Sequence, residues 1–228
     1  AIESSKYFQN AISQVEDIFG KKLLLPIKLY VFTSQERFAN YSNGSIRARA
    51  AGSNEGIYLS PRMLNELETL SGIIVHETVH SYLMQYLGVQ RYRDELPPWF
   101  QEGIAVVVSK GAGSEGVDLS ETINMMMNGD TFLAKNNGNL YQGKHPIGMS
   151  SRVYYLQSGL FVQYIWGKDP KLFQRFIHNL KSKSFKNAFI EVYEVQIDTY
   201  WREFLNSLAE YNTALNKDDF FNAQKPAH

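Results

Sequence analysis

The chain has 228 residues, enough for one domain with a substantial core, and its 44% hydrophobic and 20% charged residues are ordinary for a globular enzyme. Its 23 basic and 23 acidic residues cancel, so there is no reason to expect nucleic acid or an anionic membrane as a partner. Cysteine is absent, which excludes a disulfide framework and cysteine metal ligands. No apolar run is long enough to span a bilayer.

The start of the chain and its composition bear on the cellular compartment. The chain begins with Ala1 rather than methionine and lacks cysteine, which fits a mature bacterial periplasmic or secreted protein. A cytoplasmic location is compatible with the same features. The sequence predicts no particular oligomeric state.

The first fifth of the chain predicts a helix, a strand and a second helix. Residues 4–19 are typical of an amphipathic helix that ends at Gly20. Residues 27–32 alternate in polarity and are rich in β-formers, which predicts a strand. Thr33 and Glu36 are spaced as a capping box, which predicts a short helix to about residue 41.

A hairpin and a helix are predicted next. Two short strands near residues 46–52 and 56–60 flank a turn that contains Gly52 and Gly56. The pair Ser60-Pro61 then opens a helical segment.

The run His-Glu-Thr-Val-His at residues 76–80 lies in an apolar segment, residues 71–87, with helical spacing. Positions four apart share one face of a helix, so His76 and His80 can bind one metal ion. Glu77 beside them is placed to accept a proton from the attacking water. Two histidines and a glutamate in a half-buried helix are costly unless something satisfies them, and a metal would do so. A zinc peptidase requires this arrangement, and few other functions do.

A catalytic zinc usually takes three protein ligands and leaves one position to water. A third histidine within the same motif would require glycine at position 83 and histidine at position 86. The chain has Leu83 and Tyr86 there, so the third ligand must come from elsewhere.

Glu102 is the favoured third ligand. It lies 22 positions after His80 (102 − 80), in the run PPWFQEGIA at residues 97–105, whose prolines predict the start of a helix. That distance leaves room for a helix end, a loop and a return. Asp94 and Glu95 are rival ligands, but their charged stretch predicts a solvated loop.

These two runs resemble the gluzincin zinc metallopeptidases, specifically the peptidase-MA-like family related to the catalytic domain of aminopeptidase N. The resemblance covers most of residues 25–210, and it implies one Zn²⁺ per chain held by His76, His80 and Glu102, with Glu77 as general base. It also implies an α+β fold: a small mixed sheet in an N-terminal lobe, two metal-binding helices, a mainly helical C-terminal lobe and a cleft between the lobes, as in thermolysin-like zincins.

The resemblance also implies a role for a tyrosine. In these families a stretch like residues 154–159, Tyr-Tyr-Leu-Gln-Ser-Gly, opens a helix whose tyrosine hydroxyl stabilises the oxyanion. Tyr155 matches that position, and Tyr154 is the alternative.

Substrate binding follows from the same resemblance. In gluzincins the strand before the active-site helix lies at the sheet edge and pairs with extended substrate. The stretch that holds the substrate amino terminus in the aminopeptidases corresponds here to residues 50–56, where Glu55 is a poor match. An endopeptidase is therefore at least as compatible as an aminopeptidase.

The lobes are expected to be one catalytic domain, residues 1–228, with an N-terminal α/β lobe to about residue 110 and a C-terminal helical lobe from about 117 to 216. The glycine-rich run 110–116 predicts a flexible loop between them. The polar stretch 130–150, which contains His145, predicts a surface loop that could cover a substrate.

The C-terminal lobe is expected to be helical. Helices are predicted near residues 120–127, 151–166, 170–181, 184–192 and 198–214, and Met125–Met127 are expected to fill the core. The tail from Lys217 is expected to fray.

The competing hypothesis is a catalytically inactive gluzincin-like domain that binds peptide or a partner protein. The retained Glu77 argues against it, because a binding domain needs metal ligands but no base.

Overall fold

A computed structural model of the protein describes residues 2–42 and 48–211, with side chains described for 6–42 and 48–208. The chain divides into two compact units, Ala1–Tyr92 and Arg93–His228. Nothing in the described ranges is a helix of the length and apolar character needed to cross a bilayer. The predicted fraying from Lys217 lies outside the described residues.

The first unit combines helices with a small sheet. Its elements are α1 (Ile2–Phe19), β1 (Lys28–Val31), α2 (Gln35–Ala39), β2 (Ala50–Gly52), β3 (Gly56–Leu59), a 3₁₀ helix (Pro61–Asn65), α3 (Leu67–Leu87) and α4 (Val89–Glu95), within which the unit ends.

The three strands form a mixed sheet in the order β1-β3-β2. β3 runs parallel to β1 and antiparallel to β2. Ile57 and Leu59 of β3 are buried, and α3 packs against β2 and β3. β3, the last strand before α3, is therefore central, and among the described residues β2 is an edge strand. The prediction that the strand before the active-site helix lies at the sheet edge was wrong, because β3 pairs with β2 on one side and with β1 on the other.

Helix α1 confirms the predicted amphipathic helix. Phe8, Ala11 and Val15 are buried at helical spacing, α1 packs on α3, and Phe19 stacks on Tyr82 with ring centroids 4.7 Å apart. Gly20 follows at φ +69°, a conformation that glycine adopts without strain and that ends the helix.

Two local predictions between residues 33 and 95 need correction. Ser34, not Thr33, caps α2: its hydroxyl oxygen accepts the N–H of Arg37 at 3.4 Å. Residues 91–95 are not a loop, because α4 continues through Glu95 after Gly88 turns the chain at φ +88°.

The second unit is built from helices, and no strand occurs between residues 93 and 211. Its helices are α5 (Pro98–Val108), α6 (Leu119–Met127), α7 (Phe132–Lys135), α8 (Ser151–Lys168), α9 (Pro170–Asn179), α10 (Phe185–Tyr193) and α11 (Ile197–Tyr211). The helices predicted from residue 120 onward are present, with their described ends shifted by at most two residues. The predicted end of the last helix, residue 214, lies outside the described residues. Of the methionine cluster, Met126 is buried but Met127 is 48% exposed, so only part of it fills the core.

Helices α5 and α8 pack at very close range, and Gly103 makes this possible. A β-carbon at position 103 would lie 2.6 Å from the Ser158 carbonyl oxygen and 2.7 Å from Cγ2 of Val162. Such distances are shorter than real van der Waals contacts, so only glycine fits there.

Of the two segments expected to be loose, the first is well packed and the second is anchored at its start. In the run 110–116, Ala112 and Ser114 are buried, and the Ser114 hydroxyl donates to the Gly111 carbonyl at 2.7 Å. In the stretch 130–150, the buried Gln157 side chain accepts the Phe132 N–H and donates to the Asp130 carbonyl, each at 2.9 Å. These hydrogen bonds fasten the start of the stretch to α8.

Candidate metal centre

Helix α3 carries the predicted metal-binding motif in its interior. His76 and His80 are 4% and 7% exposed, and their ring centroids are 4.9 Å apart. Glu77 between them is partly buried. One helical turn therefore places two imidazoles side by side, as the spacing predicts.

The helix is buried on more than one side. Its buried residues include Ile73, Ile74 and Val75, which follow one another and so cannot share a single stripe, because α1 and the sheet both pack against α3. Thr78 satisfies its buried hydroxyl by donating to the Ile74 carbonyl at 2.7 Å. Packing on both sides restricts the directions that the two histidine side chains can take.

Glu102 joins the two histidines. It is partly buried in α5, and one ligand atom each of His76, His80 and Glu102 lie within 4.8 Å of one another. The rivals Asp94 and Glu95 do not belong to this group. The three residues could hold a metal ion, and two imidazole nitrogens with one carboxylate oxygen are a donor set that suits zinc.

Tyr92 is a neighbour of the metal centre that sequence reasoning missed. Its hydroxyl lies 2.9 Å from Nδ1 of His80, and both side chains are buried. With Nδ1 engaged, Nε2 is the nitrogen that can serve as metal ligand. The only sequence signal was the helix stop at Gly88, which allows the chain to turn back toward His80.

Gly52 of the edge strand β2 approaches the general-base candidate. A β-carbon at position 52 would lie 3.0 Å from the Glu77 carbonyl oxygen, 3.1 Å from Oε2 of the Glu77 carboxylate and 3.4 Å from Cβ of His80. The strand therefore runs directly beside the carboxylate, and the missing side chain makes the room.

Gln85 ties the hairpin turn to α3. Its amide nitrogen donates to the Asn54 carbonyl at 2.7 Å and to the Leu25 carbonyl at 3.0 Å, while its oxygen accepts the Leu25 N–H at 2.9 Å. Glu55, considered for substrate binding, is exposed in that turn, and its N–H bonds to the Ser53 hydroxyl at 3.2 Å.

The two tyrosines at the start of α8 differ in environment. Tyr154 is buried, and its hydroxyl donates to the Gly143 carbonyl at 2.8 Å. Burial, together with the negative charge of Glu102, raises the pKa of Tyr154 far above its usual range. Tyr155 is only partly buried. His145 is exposed, and its ring stands edgewise to Tyr154 with centroids 5.2 Å apart.

Comparisons with protein-family models, with curated proteins and with solved structures find no match to this chain.

Proposed function

We propose that this protein is a zinc-dependent peptidase. His76, His80 and Glu102 would hold the zinc ion, Glu77 would act as general base and Tyr155 would stabilise the oxyanion. The observation that carries the proposal is the convergence of the three ligand atoms within 4.8 Å, with Glu77 between two of them on the same helix turn. A site built only to bind metal needs the ligands but has no use for the adjacent carboxylate.

The zinc would supply Lewis-acid activation of water and of the scissile carbonyl. The chain's own groups supply the proton transfers. Glu77 takes a proton from the attacking water and gives it to the leaving amine as the peptide bond breaks. Partial burial of Glu77 beside Gly52 keeps its carboxylate in one place, which favours transfer along a fixed path.

We assign the oxyanion role to Tyr155 because it matches the position that the resemblance to gluzincins implies. The alternative, Tyr154, is less suited to the role because its hydroxyl is already engaged. A tyrosine hydroxyl has one proton to donate. That of Tyr154 goes to the Gly143 carbonyl, so Tyr154 cannot also donate to a developing oxyanion without breaking a buried bond. The hydroxyl of Tyr155 would act in the transition state, where a preorganised donor has its greatest effect.

The edge strand β2 is suited to bind an extended peptide. The Ser60 N–H donates to the Arg49 carbonyl, and the Ser53 N–H donates to the Gly56 carbonyl. The residues that flank β2 on either side therefore face β3. Because pairing alternates along an antiparallel strand, the peptide groups of Ala50 and Gly52 point away from β3. A substrate pairing with those groups would pass beside Glu77, and main-chain pairing demands little of its side chains. Both aminopeptidase and endopeptidase action fit this mode.

The first test is zinc content, measured by elemental analysis on protein purified without chelating resin, with His80→Ala as the control. We expect about one zinc per chain in the parent and none in the variant, since a catalytic site with two remaining ligands binds weakly. A peptide-library digest would follow. No metal in the parent, even after incubation with zinc, would reject the peptidase and favour a peptide-binding domain without chemistry.

A further inference from the structure

Metal binding would fix which side chain donates in the hydrogen bond between Tyr92 and His80. A neutral imidazole carries its proton on one ring nitrogen and a lone pair on the other. The Tyr92 hydroxyl lies 2.9 Å from Nδ1. If Nε2 gives its lone pair to a metal, Nδ1 carries the proton and the tyrosine oxygen is its acceptor.

We propose that Tyr92 is a positioning residue for the metal centre. Its hydroxyl oxygen accepts the Nδ1–H of His80 and so holds the imidazole in the tautomer and orientation that present Nε2 to the metal. The proposal rests on the metal site of the proposed function, and its test separates the two.

The short helix α4 is what delivers this hydroxyl. Helix α3 ends at Leu87, Gly88 turns the chain, and the Tyr92 N–H closes the first turn of α4 on the Gly88 carbonyl at 2.9 Å. This return brings a residue 12 positions after His80 back to its ring (92 − 80), with the two rings nearly perpendicular and their centroids 6.3 Å apart. Both side chains are at least nine-tenths buried, at 5% and 7% exposed, so the contact is shielded from competing water.

A phenol differs from the carboxylate that often supports a metal-bound histidine. It orients the ring without adding a second negative charge near Glu102. Tyr92→Phe removes the hydroxyl and keeps the buried ring. The variant therefore alters the hydrogen bond and leaves the packing of α4 on α3 largely intact.

The test compares the parent with Tyr92→Phe and with Tyr82→Phe. Tyr82 is a matched control: it is 2% exposed, lies on α3, and stacks on Phe19 and Tyr86 rather than on a metal-site histidine. Zinc affinity is measured on zinc-free protein by competition with a chromophoric chelator. Circular dichroism and thermal unfolding of the zinc-free proteins check that all three fold alike.

We expect Tyr92→Phe to bind one zinc with an affinity about 10–100-fold weaker than the parent, as is typical when a histidine ligand loses its supporting partner. Tyr82→Phe should bind as the parent does. Equal affinities of parent and Tyr92→Phe, or an equal loss in both variants, would overturn the role of Tyr92 alone. A folded parent that binds no zinc would overturn this role together with the proposed metal site.

Discussion

Gly52 and Glu77 come so close that a β-carbon on Gly52 would lie 3.1 Å from Oε2 of the Glu77 carboxylate. The backbone of the edge strand therefore lies directly against the carboxylate of the general-base candidate. Any side chain at position 52 must displace either the carboxylate or the strand that would bind substrate.

Replacing Gly52 by alanine should lower kcat/KM by on the order of 10–100-fold, because a displacement of the base by a fraction of an ångström disturbs the attack geometry. Zinc content should not change. Steady-state kinetics on a cleaved peptide measure the effect. Ala51→Ser, which alters the neighbouring side chain on the other face of the strand, is the control, and a variant as active as the parent would contradict the proposed closeness of strand and base.

Glu77→Ala should keep about one zinc per chain and lose turnover by about 100–10,000-fold, the range of general acid–base catalysis. The reason is that Glu77 transfers protons and is not among the three grouped ligands. Elemental analysis and single-turnover cleavage measure both quantities on one preparation. Cleavage at the parental rate would show that another group takes the proton.

Tyr155→Phe and Tyr154→Phe should differ in kind. Removal of the Tyr155 hydroxyl should lower kcat by on the order of 100-fold, as for one lost oxyanion donor. Removal of the Tyr154 hydroxyl leaves the Gly143 carbonyl without that donor and should cost about 1–2 kcal/mol of unfolding free energy. Steady-state kinetics and urea unfolding are measured on both variants. A large loss of kcat in Tyr154→Phe and none in Tyr155→Phe would transfer the oxyanion role to Tyr154.

Gly103→Ala should destabilise the second unit by about 1–3 kcal/mol, the usual cost of overpacking. The added methyl group meets a backbone oxygen of Ser158 at 2.6 Å, which cannot turn aside as a side chain could. Urea unfolding measures the loss. The double variant Gly103→Ala/Val162→Ala should recover only part of it, since the carbonyl remains; full recovery would mean that Val162 alone sets the spacing.

The metal-site helix and its residues were largely predictable from the sequence. The run 76–80 carries its own geometry, since four-residue spacing on a helix places His76 and His80 together whatever surrounds them. Glu102 was predicted from a proline-initiated helix at a plausible distance, and it does group with the histidines. Local periodicity also located α1, the hairpin and the helices after residue 120.

The neighbours of the site were not predictable because they depend on how separate elements pack. Tyr92 reaches His80 only through the direction that α4 takes after Gly88, and Gly52 meets Glu77 only because β2 lies on α3. The order of the strands has no local signature either. Composition misled at residues 110–116, where glycines serve positive φ angles in a packed turn rather than mobility.

The amide of Gln85 imitates a neighbouring strand, since it both donates to and accepts from the backbone of Leu25. Leu24 and Leu25 meanwhile leave most of their side chains in water, at 66% and 57% exposed. Polar contacts therefore hold residues 24 and 25 more than burial does. Because proteins open locally as well as globally, the amide hydrogens of these residues should exchange with solvent before those of α3.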